Sequence, residues 1–263
     1  MTLKERIISE NENFFEILVK NNNDNYIFMK KKHKWHDLEI SKLMKKNINL
    51  FLKKDTKIFF LNLQNIAKRQ IEIKSYLEKL RSENNAIFKK MFKSKYYEEQ
   101  KENMLKAELI IKEHIGKELK DFFNLENNIR YISNEYLMFL IDNKWFETIC
   151  FYLIRSLNIN SRLYLDVDIK IDGENKQIDN LIITKDLCAI IECKSGETFT
   201  EAEISKIKVY KAGLKANLGI ILRCRDKVEY SLKEEIVGVY IIDGIFSKKP
   251  SEIKKKLLSI LNR

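Results

Sequence analysis

Proline and glycine, the residues that interrupt helices, are almost missing from the first 172 residues of this 263-residue chain. The sole proline is Pro250, and Gly116 is the only glycine before Gly173. A stretch so poor in turn formers must be built chiefly from long helices. It also holds no Gly-rich phosphate loop, which excludes P-loop and Gly-x-Gly dinucleotide binding for that half. Two stripes carry helical spacing: Phe59, Leu63, Ile66, Ile73, Leu77 and Leu80, then Met104, Leu105, Leu109, Ile110, Ile115 and Leu119. Strands in this half are expected only at residues 25–30 and, as an alternative to helix, at 57–61.

From residue 131 the pattern changes. Ser133 suits a helix N-cap, and helix is expected over 136–157. Leu163, Leu165, Val167, Ile169 and Ile171 then alternate with Tyr164, Asp166, Asp168 and Lys170, the period-two signature of a half-buried strand. On that reading Asp166 and Asp168 face solvent. A turn at Asp172-Gly173 leads to strands over 177–184 and 188–194. Helix is expected over 200–214, buried strands over 218–224 and 237–242, and a closing helix over 253–261. The expected fold class is α/β: a mainly helical domain, 1–130, followed by a mixed sheet flanked by helices, 131–263.

The net charge of +11 is unevenly distributed. Residues 1–130 carry 28 Lys/Arg against 19 Asp/Glu, whereas residues 131–263 carry 21 against 19. A basic N-terminal half suits a polyanion partner through phosphate neutralisation, although a Lys- and Asn-rich composition produces the same charge without one. His33 and His36 flank Trp35 in a basic run from Lys30; such a run is more often a solvated loop than a base-stacking grip. Cys150, Cys188, Cys193 and Cys224 stand singly, so neither a zinc site nor a disulfide framework is expected, and a reducing cytoplasm fits. No run of about 18 apolar residues exists, so no membrane span is expected.

The chemistry concentrates in two apolar strands. Asp179 opens Ile178-Asp179-Asn180-Leu181-Ile182-Ile183, and Glu192 and Lys194 interrupt the end of Ile190-Ile191-Glu192-Cys193-Lys194. Two residues apart on a strand, Glu192 and Lys194 share a sheet face. Buried charges in such strands are costly unless they are paired or hold a metal. Two carboxylates beside an ammonium suit a hard divalent cation, Mg2+ or Mn2+, with the Cys193 backbone carbonyl as a further oxygen. Glu147 lies on an apolar helical face with Cys150, Phe151 and Ile154, where a carboxylate needs a partner. Lys211 shares a face with Ile204, Ile207 and Leu214, and either reaches a phosphate or snorkels to solvent.

The Asp179, then Glu192-x-Lys194 arrangement resembles the PD-(D/E)XK nuclease superfamily. The wider segment from Gln177 to Glu197 resembles the nuclease domain of CRISPR ancillary effectors that join such a domain to a cyclic-oligoadenylate sensor. The likeness covers about residues 131–245: Trp145-Phe146-Glu147 matches the family's Trp-apolar-Glu helix, with Asn143 and Lys144 replacing its usual glycines, and Tyr210-Lys211 and Leu218-Gly219 match its next helix and strand. The resemblance implies a metal-dependent endonuclease acting on DNA or RNA in nucleic-acid defence, with a restriction-endonuclease-like sheet. Asp179, Glu192 and Glu147 would be metal ligands, Lys194 the catalytic lysine and Lys211 a phosphate contact. Many such nucleases pair as homodimers to cut two strands. Residues 1–130 match no sensor domain, so nucleotide activation is not implied. Two alternatives stay open: a catalytically silent nuclease fold that binds nucleic acid, and a nuclease whose N-terminal half docks a protein.

Overall fold

The computed structural model describes residues 26–28, 38–83, 95–125, 132–196, 200–224, 235–236 and 238–262. The basic run around Trp35 lies outside them. The described residues form two compact units, one from Met1–Lys57 with Trp145–Arg263 and one from Ile58–Lys144. The sequence reading set a single division at 130/131.

In chain order the elements are β1 (Tyr26–Phe28), α1 (Glu39–Lys46), α2 (Ile48–Phe51), α3 (Lys54–Glu83), α4 (Lys95–Phe123), α5 (Asn134–Ile141), α6 (Lys144–Arg155), β2 (Arg162–Ile171), β3 (Glu174–Ile183), β4 (Cys188–Lys194), α7 (Glu201–Leu214), β5 (Leu218–Arg223), β6 (Glu235–Ile236), β7 (Val239–Ile242) and α8 (Pro250–Leu261). The fold is α/β, with a mixed sheet and flanking helices. Residues 57–61 lie within α3 and are helical.

The strands form one sheet in the order β1-β2-β3-β4-β5-β7-β6. The pairs β1–β2, β2–β3 and β3–β4 are antiparallel, whereas β4–β5 and β5–β7 are parallel. The crossover between the parallel strands β4 and β5 is α7, as parallel pairing requires. Ile204, Ile207, Tyr210 and Leu214 of α7 pack on Val167, Ile169, Ile178, Leu181, Ile190, Ile221 and Ile241. Thr200 and Glu203 form a reciprocal capping box at the start of α7.

Two sequence expectations need correcting. Residues 136–157 are two helices, divided at Asp142 and Asn143, where Asn143 adopts a left-handed φ of 60°. Asn tolerates that conformation better than most side chains. Ser133 caps α5 as expected, accepting the Tyr136 N–H. Strand β2 also departs from the expected alternation. Asp166 is 2% exposed and Asp168 half-buried, so neither points to bulk solvent. Asp166 has φ 54°, and the pleat changes face there. Tyr164 and Val167 both contact the α7-side core, as do Ile178 and Leu181 opposite them. A strict alternation cannot place residues three apart on one face, so the hairpin switches phase at Asp166 and Asp179.

In the helical unit, Phe60, Leu63, Ala67, Ile115, Leu119 and Phe123 form a buried core. Phe59 stacks on Phe122 with ring centroids 4.0 Å apart. Leu105, Leu109 and Ile110, part of the second sequence stripe, are exposed instead.

Candidate active site

The β3–β4 ladder runs from Ile183 opposite Cys188 to Asn180 opposite Ile191. The next step would set Asp179 against Glu192, and there the ladder stops. In place of a backbone carbonyl, Asp179 Oδ2 accepts the Cys193 N–H at 2.6 Å. A strand residue directs its N–H and C=O toward the same neighbour, so the Cys193 carbonyl faces the gap that Asp179 opens. Leu181 and Ile190 lie on the α7 side of the sheet. By alternation from Ile190, Glu192 lies there too, and the charges of Asp179 and Glu192 both act on the Lys194 ammonium and the Tyr210 phenol.

Glu192 has a side chain 3% exposed. Its Oε1 takes two ammonium groups, Lys194 at 2.9 Å and Lys206 at 2.6 Å. Its Oε2 is buried with no hydrogen-bond partner. Lys194 also pairs with Glu203 of α7 at 3.3 Å. Burial pulls the Lys194 pKa down, but the Glu192 charge and hydrogen bond, helped by Glu203 and Asp179, outweigh it and hold the group above the ordinary lysine value. In the metal-free site the carboxylates around Lys194 thus favour its charged form. Burial also raises the Tyr210 phenol. Burial first, then the Cys150 thiol and the charges of Asp179 and Glu147, push the Cys193 thiol far up, so it offers no thiolate as nucleophile or soft ligand.

The structure sets Asp179 on the Cys193 N–H and Lys194 on Glu192, where β3 and β4 part. Glu147, 6% exposed in the first turn of α6, lies near enough for its charge to act on the Cys193 thiol. Asn180 Nδ2 ties α6 to β4, donating to the Glu147 carbonyl oxygen and the Cys193 Sγ, both at 3.4 Å. Lys211 is not at the site. Its ammonium lies over the Cα of Gly238, near Asn217, at the Cys188 end of β4. The helical stripe that suggested Lys211 runs the full length of α7, and only its first half reaches Glu192. From α7 it is Lys206 that reaches Glu192, and Glu203 that reaches Lys194. Their i, i+3 spacing on the flank of that stripe was the available signal.

Among the described residues no three His, Cys, Asp or Glu side chains converge as a complete cage. Mg2+, however, commonly uses one or two carboxylates and keeps several waters. Asp179, Glu192 with its buried Oε2, and the Cys193 carbonyl supply that number of hard oxygens, and the residues fit. An open cavity of about 750 Å3, lined by Thr184, Asp186, Asn217 and Gly238, lies at the opposite end of β4 and contains none of them.

No protein-family model and no curated protein matches the chain. The chain is similar in structure to VC1899 from Vibrio cholerae, with a TM-score of 0.53 at 12% identity, over 90% of this chain and 59% of that one. It is less similar to Can2 from Sulfobacillus thermosulfidooxidans, solved with cyclic tetra-adenylate, with a TM-score of 0.47 at 14% identity over 91% and 56%. A Thermococcus gammatolerans assembly of McrB hexamers with bound McrC follows at 0.35 and 12% identity, over 57% and 47%. The likeness to VC1899 supports the fold, and this chain spans about three-fifths of that protein's length. No described helix is long and apolar enough to cross a membrane.

Proposed function

We propose that the protein is a divalent-metal-dependent endonuclease, of the PD-(D/E)XK kind, that hydrolyses phosphodiester bonds of DNA or RNA. The observation that carries this reading is Glu192: a buried carboxylate with one oxygen unpartnered, opposite Asp179, at the point where β3 and β4 part. A buried acidic pair beside a permanent ammonium has little structural value of its own, because apolar residues of like volume serve a core as well or better. It is well suited to phosphoryl chemistry.

Asp179, Glu192 and the Cys193 carbonyl would hold Mg2+ or Mn2+, which polarises a phosphoryl oxygen and acidifies a bound water. The Asp179 bond to the Cys193 N–H fixes the first ligand in direction, and the β-ladder fixes the second. Lys194 stays protonated and offers its ammonium to the charge that develops on the phosphorane oxygens. Glu147, whose charge acts on Cys193, would stand beside these ligands as a further carboxylate for the metal. The basic N-terminal half would contribute phosphate contacts. The sequence resemblance suggests nucleic-acid defence as the setting. The four free thiols suit a reducing cytoplasm.

The test is incubation with labelled single- and double-stranded DNA and RNA, with Mg2+, Mn2+ or EDTA. Cleavage of at least one substrate with metal, abolished by EDTA and by Glu192→Gln, is expected. Binding without cleavage of any of the four, with either metal, would establish a silent nuclease fold instead.

A further inference from the structure

We propose that the Lys206 ammonium is an internal counter-ion: it occupies Glu192 Oε1 while the site lacks a divalent cation, yields that oxygen when a cation binds, and then contacts the substrate phosphate. This deepens the nuclease reading and rests on it. Glu192, with a side chain 3% exposed, must have its charge compensated wherever no metal does so. Two ammonium groups converge on the same oxygen, at 2.6 and 2.9 Å, while Oε2 has no hydrogen-bond partner. A divalent cation between Asp179 and Glu192 would set two further positive charges against both lysines.

The two lysines are not equivalent. Lys194 extends from β4 itself, two residues from Glu192, and has a second anchor in Glu203 at 3.3 Å. Its side chain is 25% exposed. Lys206 approaches from α7, with a side chain 35% exposed. Its ammonium lies 5.3 Å from the ring centroid of Tyr210, one helical turn onward, a face that attracts a cation. Lys206, the more exposed of the two and paired with no second carboxylate among the described residues, is therefore the group free to move from Glu192 to the Tyr210 face. Its released position, at the solvent side of the carboxylates, is where a phosphodiester must approach them.

The first measurement is Mn2+ titration by calorimetry, without nucleic acid, on wild type, Lys206→Met and Lys206→Arg. Removal of the competing ammonium should tighten Mn2+ binding about two- to fivefold, the effect of one modest ion pair. Lys206→Arg should bind no more tightly than wild type. The second measurement is oligonucleotide binding against salt in a Lys194→Ala background, which slows cleavage. With Mn2+, Lys206→Met should reduce the slope of log K on log salt by about 0.7–0.9, one phosphate contact. In EDTA the slope should not change. Wild-type or weaker Mn2+ affinity in Lys206→Met overturns the competition, and equal slopes with Mn2+ overturn the phosphate contact. If neither wild type nor Lys206→Met binds Mn2+, the nuclease reading falls, and this inference with it.

Discussion

Glu192→Gln keeps the shape of the side chain and removes its charge, and the structure sets the scale of the consequence. Oε1 accepts from two ammonium groups, at 2.6 and 2.9 Å. A hydrogen bond to a charged group contributes about 1.5–3 kcal/mol. Breaking a buried pair costs about 3–5 kcal/mol when the other ion is stranded. Neither lysine is stranded here. Lys194 keeps Glu203, and the side chains of Lys194 and Lys206 are 25% and 35% exposed. The expected loss in the metal-free protein is therefore at the low end, about 1–3 kcal/mol, or roughly 2–10 °C in Tm for a chain of this size. Melting is followed by Trp145 fluorescence in a Trp35→Phe background, since these are the two tryptophans and Trp145 is fully buried in the sheet unit. Each run is repeated with Mn2+ at about 100 times its Kd, where a bound cation adds about 2.7 kcal/mol. Wild type should gain that amount and Glu192→Gln much less. Equal melting without metal together with equal gains from Mn2+ would refute the reasoning.

Lys194→Ala should keep Mn2+ binding by calorimetry yet slow cleavage by about 10²–10⁴-fold, the usual effect of removing one positioned catalytic group. The raised Lys194 pKa has a definite sign: its stabilisation is complete below the unfolded lysine value, about 10.4, and is lost only as pH rises through the higher folded value. Urea denaturation at pH 7 and at pH 9 should therefore give the same Lys194→Ala destabilisation, and a difference that vanishes by pH 9 would show a Lys194 pKa depressed below the ordinary lysine value. Lys211→Ala, at the far end of α7, should change cleavage by less than about twofold, in contrast with Lys206 variants.

The hairpin and its charges were legible because buried apolar strands make a polar residue conspicuous. Asp179, Glu192 and Lys194 interrupt runs of Ile and Leu, and residues 188–194 form a strand as expected. Helix α7 was legible as an amphipathic segment. Its contribution was not, because a repeating stripe reads the same at every turn. Only the packing decides that Lys206, and not Lys211, stands over Glu192. The break at Asn143 escaped because Tyr136 to Leu140 and Trp145 to Ile154 are both mainly apolar, and the polar step between them is short. Asp166 escaped for a different reason. Period-two reading assumes one unbroken pleat, and its left-handed backbone ends that assumption midway along β2.

That phase switch limits the ways in which the hairpin can be misassembled. An ordinary pleated pair that slides by two residues keeps every side chain on its own face, so such slips are the cheapest pairing errors a strand can make. Here Tyr164 opposes Leu181 before the switch, and Val167 opposes Ile178 after it. A slide of two residues would set the switch in one strand against regular pleat in the other, and side chains meant to meet would leave the sheet on opposite sides. Both odd and even slips are thus penalised, and a single alignment is left. That alignment puts the end of the β3–β4 ladder, and with it Asp179, within reach of the Cys193 N–H.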